Sequence, residues 1–288
     1  MQYTASKLYK YHSSNLRFLE TALENNAASA RTAIRTKNQD ATKTFVRVHH
    51  LLLGAWAEVR LSKLLNENQS FNSSEMSKID NCQSQLDKWN KVVELAFRRR
   101  YNVKKAPISE DSLEPTTYHR YQVIYGVINN ELKDIIELRN RIAHGQWEFL
   151  LNSEATKIEA DKMEKVRREN LQSLIFKKSI INYLANLIHD LVVSPITFER
   201  DFDKHYKGVR RFQKNIADKP YADYEHKLIA SYQKGKQKQQ AKLQELKENI
   251  RADLVIELRS QIREEVIAEM QSSQKPKSFL NKLKDAFV

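Results

Sequence analysis

TYHRYQVIYGVINNELKDIIELRNRIAHG, residues 117–145, is the stretch that settles the fold class. Within it Tyr121, Tyr125, Ile128, Leu132, Ile135 and Ile142 recur in steps of four and three, the period of one face of an α-helix. The pattern predicts a single helix over roughly residues 117–144. Thr116 or Thr117 is placed to cap its start after Pro115. Gly145 is placed to end it as a left-handed C-terminal cap.

The rest of the chain reads the same way. Five Gly and five Pro in 288 residues are too few for the turns of a sandwich, a barrel or a doubly wound sheet. No two glycines lie close enough for a phosphate-cradling loop. Helices are expected at about 14–37, 44–66, 80–101, 153–193 and 196–212, the fourth interrupted near Glu169 and Asn170 and ended by Pro195. Phe45, His49, Leu52, Trp56 and Val59 mark the inward stripe of the second; Leu86, Trp89, Val93 and Ala96 mark that of the third. Residues 38–43 and 66–77 read as polar connections. The expectation is an all-α chain.

Forty-nine basic against 36 acidic residues give a net charge of +13, which makes a polyanion the first partner to consider. The charge is uneven. Residues 204–242 hold eleven basic and three acidic side chains, while 243–288 are neutral in sum. Three regions follow: a helical bundle over 1–203, a basic segment over 204–242, and an assembly helix with an amphipathic tail over 243–288. Residues 235–240 (GKQKQQ) read as solvated low-complexity sequence. Leu243, Leu246, Ile250, Leu254, Leu258, Ile262 and Val266 mark a helix of coiled-coil type whose stripe drifts away from a regular heptad. Phe279, Leu280, Leu283 and Phe287 form the short tail.

One cysteine, Cys82, leaves no disulfide framework and no Cys-based zinc site, which suits a reducing cytoplasm. No apolar run approaches a membrane span, and residues 179–193, the best candidate, are broken by Asn182, Asn186, His189 and Asp190. The N-terminus carries no apolar signal core. No metal, cofactor or membrane partner is expected.

Between Ile135 and Ile142 the apolar pattern demands a core residue and the sequence supplies Arg139. An arginine in an apolar seam needs a charged or polar group to meet it, and Glu58, beside Trp56 and Val59, is a possible partner. Asn140 and His144 are one turn apart on a flank roughly 100–140° away. These residue types suit RNA cleavage without a metal. The ribose 2′-OH is itself the nucleophile, so the protein has only to move protons and stabilise the transition state. His144 can accept or donate a proton near neutrality. Arg139 presents a permanently charged planar fork to phosphate oxygens, and Asn140 can orient the imidazole or hold the phosphate.

The run Glu137-Leu-Arg-Asn-Arg-Ile-Ala-His-Gly145 resembles the signature of HEPN-domain ribonucleases, an Arg followed by a polar residue and then a His at the end of a long helix in a helical bundle. The resemblance covers residues 40–195. It implies a HEPN-like bundle and a metal-independent endoribonuclease that leaves 2′,3′-cyclic phosphate and 5′-OH ends. It also implies a homodimer that brings two histidines into one composite site, in a toxin or phage-defence setting with an antitoxin or defence partner. A second match, Arg200-Asp-Phe-Asp-Lys-His205, is the alternative catalytic pair, although Phe198, Phe202 and Tyr206 already explain that segment as a docking helix. Arg98, Arg99, Arg100, Lys207, Arg210, Arg211 and Lys214 are candidate RNA contacts, with a solvated helix end the plainer account of the first three. His49 on its apolar stripe reads as a satisfied core histidine, and Asp201 with His205 lacks a third ligand for a metal. The competing reading is a non-catalytic helical module that binds RNA or a protein.

Overall fold

In a computed structural model, which describes residues 4–68, 70–104, 106–152, 154 and 156–273, the regular structure is helical apart from one isolated antiparallel bridge, Leu151 to Ile158. The chain divides into two compact units, Met1–Ile229 and Ala230–Val288.

The first unit opens with α1 (Ala5–Arg35) and α2 (Gln39–Leu65), an antiparallel hairpin. Alanine-rich sequence favours α1 and lets α2 approach it over Leu16, Leu23, Ala27, Ala30 and Ile34. Lys37 turns left-handed at φ 57°, and Asn38 then caps α2 by accepting the Ala41 N–H at 3.0 Å. Residues 39–43, expected as a connection, are therefore the solvated first turn of α2. The helix α3 (Ser73–Asp80) begins inside the stretch 66–77 expected as a loop and ends at Asp80. Asn72 and Glu75 form a reciprocal capping box that starts it, and Ile79 pins it to the core. The next helix, α4 (Gln85–Arg100), starts at the Ser84 cap rather than at residue 80 and buries Trp89, Val92, Val93, Ala96 and Phe97.

The stretch 117–144 is one unbroken helical rod in three parts: α5 (Pro115–Val127), a π-helical turn (Ile128–Leu132) and α6 (Lys133–Ala143). Pro115 occupies the first helical position, and Glu114, without a side-chain cap bond, stands where Thr116 or Thr117 was expected to cap; Thr117 is buried instead. The π turn inserts one extra residue, so Lys133 N–H reaches Ile128 O. Asn129 donates to Tyr125 O at 2.8 Å and pairs with Asn90 of α4. The extra residue shifts the buried face. Ile124, Ile128, Leu132, Ile135 and Ile142 are fully or almost fully buried, whereas Tyr125, expected inward, is 44% exposed.

Residues 154 and 156–159, expected as helix, belong to a loop, and 153 and 155 lie outside the described residues. The Asn152 side-chain carbonyl accepts the Thr156 and Lys157 N–H groups at 2.8 and 3.1 Å, an alternative that keeps the backbone out of a helix. Helix α7 (Ala160–Arg168) follows, and the expected break falls at Glu169 and Asn170. Asn170 caps α8 (Leu171–Val193) in a second capping box, with Ser173. Pro195 begins α9 (Pro195–Asp218), which returns along α8 and buries Phe198, Phe202 and Val209. Gly208 admits the Tyr183 ring, which would lie 2.6 Å from any Cβ there. The core gathers Trp56, Trp89, Phe97 and Phe198 around α2, α4 and α8. A smaller cluster of Leu138, Ile142, Leu150, Met163 and Val166 seats Leu150 and α7 on α6.

The last helix, α10 (Tyr221–Ser273), runs from the first unit into the second without interruption. The expected boundaries at 203 and 242 thus fall inside α9 and α10. Residues 235–240 are helical, because Lys and Gln are good helix formers and a single glycine costs only about 1 kcal/mol. The tail bearing Phe279, Leu280, Leu283 and Phe287 lies outside the described residues. Among the described residues no helix is long and apolar enough to cross a membrane.

Candidate functional site

The end of α6 is built on α2. His50, Gly54 and Glu58 follow one another at four-residue spacing along one edge of α2, and each meets α6. His50 Nε2 donates to Ile135 O at 3.3 Å. Gly54 receives the Arg139 stem: a Cβ at position 54 would stand 2.5 Å from Arg139 Cγ and 2.6 Å from its Cβ. The Glu58 carboxylate accepts from Arg139 Nη2 at 2.7 Å. Arg139 Nη1 donates to the Asn140 side-chain oxygen at 2.9 Å, and Arg139 Nε is buried without a partner. The seam arginine is thus met by the acid named from sequence. Burial holds the Glu58 carboxyl above its ordinary value, and the neighbouring guanidinium offsets only part of that rise.

His144 follows the last turn as its C-cap and is exposed. Gly145 is left-handed at φ 83°. Its N–H reaches Ile142 O at 3.1 Å, and Gln146 N–H reaches Arg141 O at 3.0 Å, a Schellman closure. The closure also presents His144 to solvent beside Asn140. Arg141 faces the other way and ties the following loop through Glu159 at 2.9 Å and Gln146 at 3.3 Å. Arg139, Asn140 and His144 therefore share one helix end, with a fixed guanidinium and an exposed imidazole.

Two features here escaped the sequence reading. Trp147 and Phe149, just after Gly145, are 39% and 53% exposed. Their loop is fastened by Arg47 Nε donating to Trp147 O at 3.1 Å. A cavity of about 270 Å³ opens beside it, lined in part by Lys43, Arg47, Phe149, Arg167 and Tyr221 with Glu148 and Glu169. Exposed aromatics directly behind a His-Gly helix stop were the available signal. Gly54 carried a signal too, since a glycine inside a helix stands out where something approaches the backbone closely.

The second motif is divided. Arg200 is turned out to solvent and paired bidentately with Asp201 at 2.8 and 2.9 Å. His205 packs inward against the Tyr183 ring, with Nε2 3.4 Å from Asp190 and Nδ1 buried without a partner. Asp190 is shared with His189, which also meets Glu67 at 3.1 Å. Arg200 and His205 thus serve different partners. Among the described residues no group of three or more His, Cys, Asp or Glu could hold a metal ion.

The basic candidates separate into two kinds. Arg98 binds Glu94 and Ala106 O, both at 2.9 Å; Arg99 donates to Ser70 O and Val192 O; Arg100 lies over Tyr101 with Glu199 3.9 Å away. Neither the solvated end nor the phosphate patch describes Arg98 and Arg99, which fasten loops to the core. On α9, Lys207, Arg210, Arg211 and Lys214 are exposed, with only short-range partners such as Gln213 for Arg210, Tyr183 for Arg211 and Asp218 for Lys214. His49 and His50 are buried core residues. His49 accepts from Asn26 at 3.2 Å, its Nε2 has no partner, and burial lowers both imidazoles to about 4.

No family model matches the chain, and no curated protein or solved structure matches it.

Proposed function

We propose that the protein is a metal-independent endoribonuclease of the HEPN type, with Arg139 and His144 acting on the scissile phosphate and Asn140 supporting them. The observation that carries this reading is the seating of Arg139. A helix-interior glycine seats the Arg139 stem, and an acid and an asparagine meet its guanidinium, five residues before an exposed histidine. A fixed fork of this kind stabilises negative charge on the phosphate oxygens as the 2′-OH attacks. His144 moves the proton, either from the 2′-OH or to the 5′-oxygen leaving group. Asn140 uses its oxygen on Arg139, which leaves its amide N–H groups as donors for phosphate or imidazole. Trp147 and Phe149 offer faces on which bases stack, and Lys207, Arg210, Arg211 and Lys214 draw the RNA backbone.

Separate acid and base roles call for two imidazoles, so the reading includes a homodimer with a composite site. It places the protein in the cytoplasm as a toxin or phage-defence effector held in check by a partner protein. The second reading, a non-catalytic helical module, is favoured by one observation: Glu58 already pairs with the guanidinium that the first reading assigns to phosphate.

The test incubates wild type, His144→Ala and His205→Ala with total RNA in EDTA. The expected result is cleavage by wild type and His205→Ala, none by His144→Ala, and products ending in 2′,3′-cyclic phosphate and 5′-OH. Cleavage lost only in His205→Ala moves the site to the second motif. Cleavage that requires a divalent ion overturns the mechanism, and an inert wild type supports the module.

A further inference from the structure

The loop behind His144 borders a cavity that the chemistry at Arg139 and His144 does not use. Its volume is about 270 Å³. Lys43 and Arg47 of α2, Glu148 and Phe149 of the loop, Arg167 of α7 and Tyr221 of α10 line it, all within the first compact unit. Cavities for small ligands begin at about 300 Å³, so the space suits one small planar molecule and excludes a duplex.

Positive charge is left over here. Arg47 is half-buried. Its Nε donates to Trp147 O at 3.1 Å and its Nη1 to Val166 O at 3.5 Å, and among the described residues no carboxylate comes within 4.0 Å of it. Burial lowers the pKa of this guanidinium, and Glu148 and Glu169 offset only part of the fall from longer range. Lys43 and Arg167 are exposed and have no hydrogen bond or ion pair among the described residues. Glu169, the second acid on the cavity, is committed to Lys177 and to Ser173. With that ion pair counted as neutral, three cations face Glu148 alone, a net +2. Elsewhere Arg98, Arg120, Arg141 and Arg200 each hold a carboxylate. A guanidinium drawn part-way out of water without an ion partner is costly, and a bound anion removes that cost.

The aromatic side supplies the other half of a ligand. Phe149 is 53% exposed and Tyr221 is half-buried. Aromatic faces beside cations are how proteins hold single-stranded nucleic acid, the rings stacking on bases while the cations track phosphates. Glu148 is exposed and can accept from the amine of a base. Phe149 follows His144 by five residues, at most about 18 Å of chain, so a strand held at His144 reaches the cavity. We propose that this cavity binds one nucleotide of a single-stranded RNA, its base on Phe149 and its flanking phosphates on Lys43, Arg47 and Arg167, and so selects the phosphodiester presented to His144. Only the last clause rests on the ribonuclease reading; the binding site stands without it.

The probe is a short fluorescein-labelled 2′-O-methyl RNA of mixed sequence. It has no free 2′-OH and cannot be cleaved, so anisotropy reads binding to the full chain whether or not that chain is a ribonuclease. Phe149→Ala should raise the dissociation constant at least about 5-fold, the loss of one stacked base. Lys43→Ala/Arg167→Ala should flatten the salt dependence by about 0.7 per lost contact. Lys10→Ala/Lys78→Ala removes the same charge from exposed positions outside the cavity and should change neither quantity. Thermal melts check that each variant is folded. Unchanged binding in Phe149→Ala would show that charge alone holds the strand and overturn the proposal, as would an equal loss in Lys10→Ala/Lys78→Ala. AMP or GMP bound more tightly than the strand would assign the cavity to a free nucleotide, and displacement of the probe by polyglutamate at equal concentration would assign it to an acidic protein; either overturns the proposal. A wild type that shows the expected binding yet leaves total RNA intact supports the subsite and removes the ribonuclease reading.

Discussion

Gly54→Ala is the sharpest perturbation of the candidate site, because it adds one methyl group where Arg139 crosses α2. The new Cβ would stand 2.5 Å from Arg139 Cγ, well inside van der Waals contact, so the arginine stem must shift. Inserting a methyl into a filled contact costs about 1–3 kcal/mol, and replacing a helix-interior glycine by alanine returns about 1 kcal/mol. The net loss is therefore about 0–2 kcal/mol, a fall in melting temperature of at most ~8 °C for a domain of this size. The effect on chemistry is larger. A displacement near 1 Å in a group that must meet the phosphate lowers the rate by about 100-fold. Gly126→Ala is the control, since nothing lies within 4 Å of a Cβ there. It should stabilise the helix by up to about 1 kcal/mol and leave cleavage unchanged. Thermal melts and initial rates on total RNA in EDTA, for both variants beside wild type, read the two effects separately. If Gly54→Ala stabilises the fold as Gly126→Ala does and keeps the wild-type rate, Arg139 is not held by α2 and the seating argument fails.

Other outcomes follow from neighbouring contacts. Glu58→Ala should destabilise the fold by about 1–3 kcal/mol in denaturant titration and Glu58→Gln by less, because glutamine keeps an acceptor for the Arg139 fork. Both histidines on α2 have folded values near 4, below the unfolded 6.5, so the unfolded chain binds protons first. Their contribution is complete above pH 6.5 and is lost as pH falls towards 4, on the order of 3 kcal/mol each at full extent. Denaturant melts at pH 7 and pH 5 should show this loss, and an equal loss in His49→Gln/His50→Gln would rule it out. Arg99→Met should weaken stability through Ser70 O and Val192 O without changing the salt dependence of RNA binding. By contrast Lys207→Glu/Arg210→Glu/Lys214→Glu should flatten the salt dependence by about 0.7 per lost contact and leave the melt nearly unchanged.

The motif helix shows how far the sequence could be read. Its extent, its stop at Gly145 and the demand for a partner to Arg139 were all visible, because helical period, a left-handed cap and a charge in an apolar seam are local signals. The π turn was not visible. Its extra residue is favoured by what packs around it, here Asn129 against Asn90 and Ile128 and Leu132 in the core, and it turned Tyr125 outward. The basic triplet illustrates the same limit. Arg98 and Arg99 look in sequence like a solvated end, yet the Ala106 carbonyl of the adjoining loop captures Arg98 and the carbonyls of the distant Ser70 and Val192 capture Arg99. The two arginine–histidine motifs were alike in spacing and were ranked in sequence by context alone, and packing adds that Arg200 goes to Asp201 and His205 to Asp190.

The sequence by itself determined the all-helical class, since scarce glycine and proline with a period near 3.6 leave no other regular structure. It also determined the concentration of positive charge after residue 203, which composition alone decides. Tertiary structure decided what each polar side chain meets. Glu58 was one candidate acid among 36 acidic residues until α2 lay against α6. Gly54 had no evident purpose until the Arg139 stem crossed it. Such pairings join residues about eighty positions apart, and the local preferences of the chain carry no information at that range.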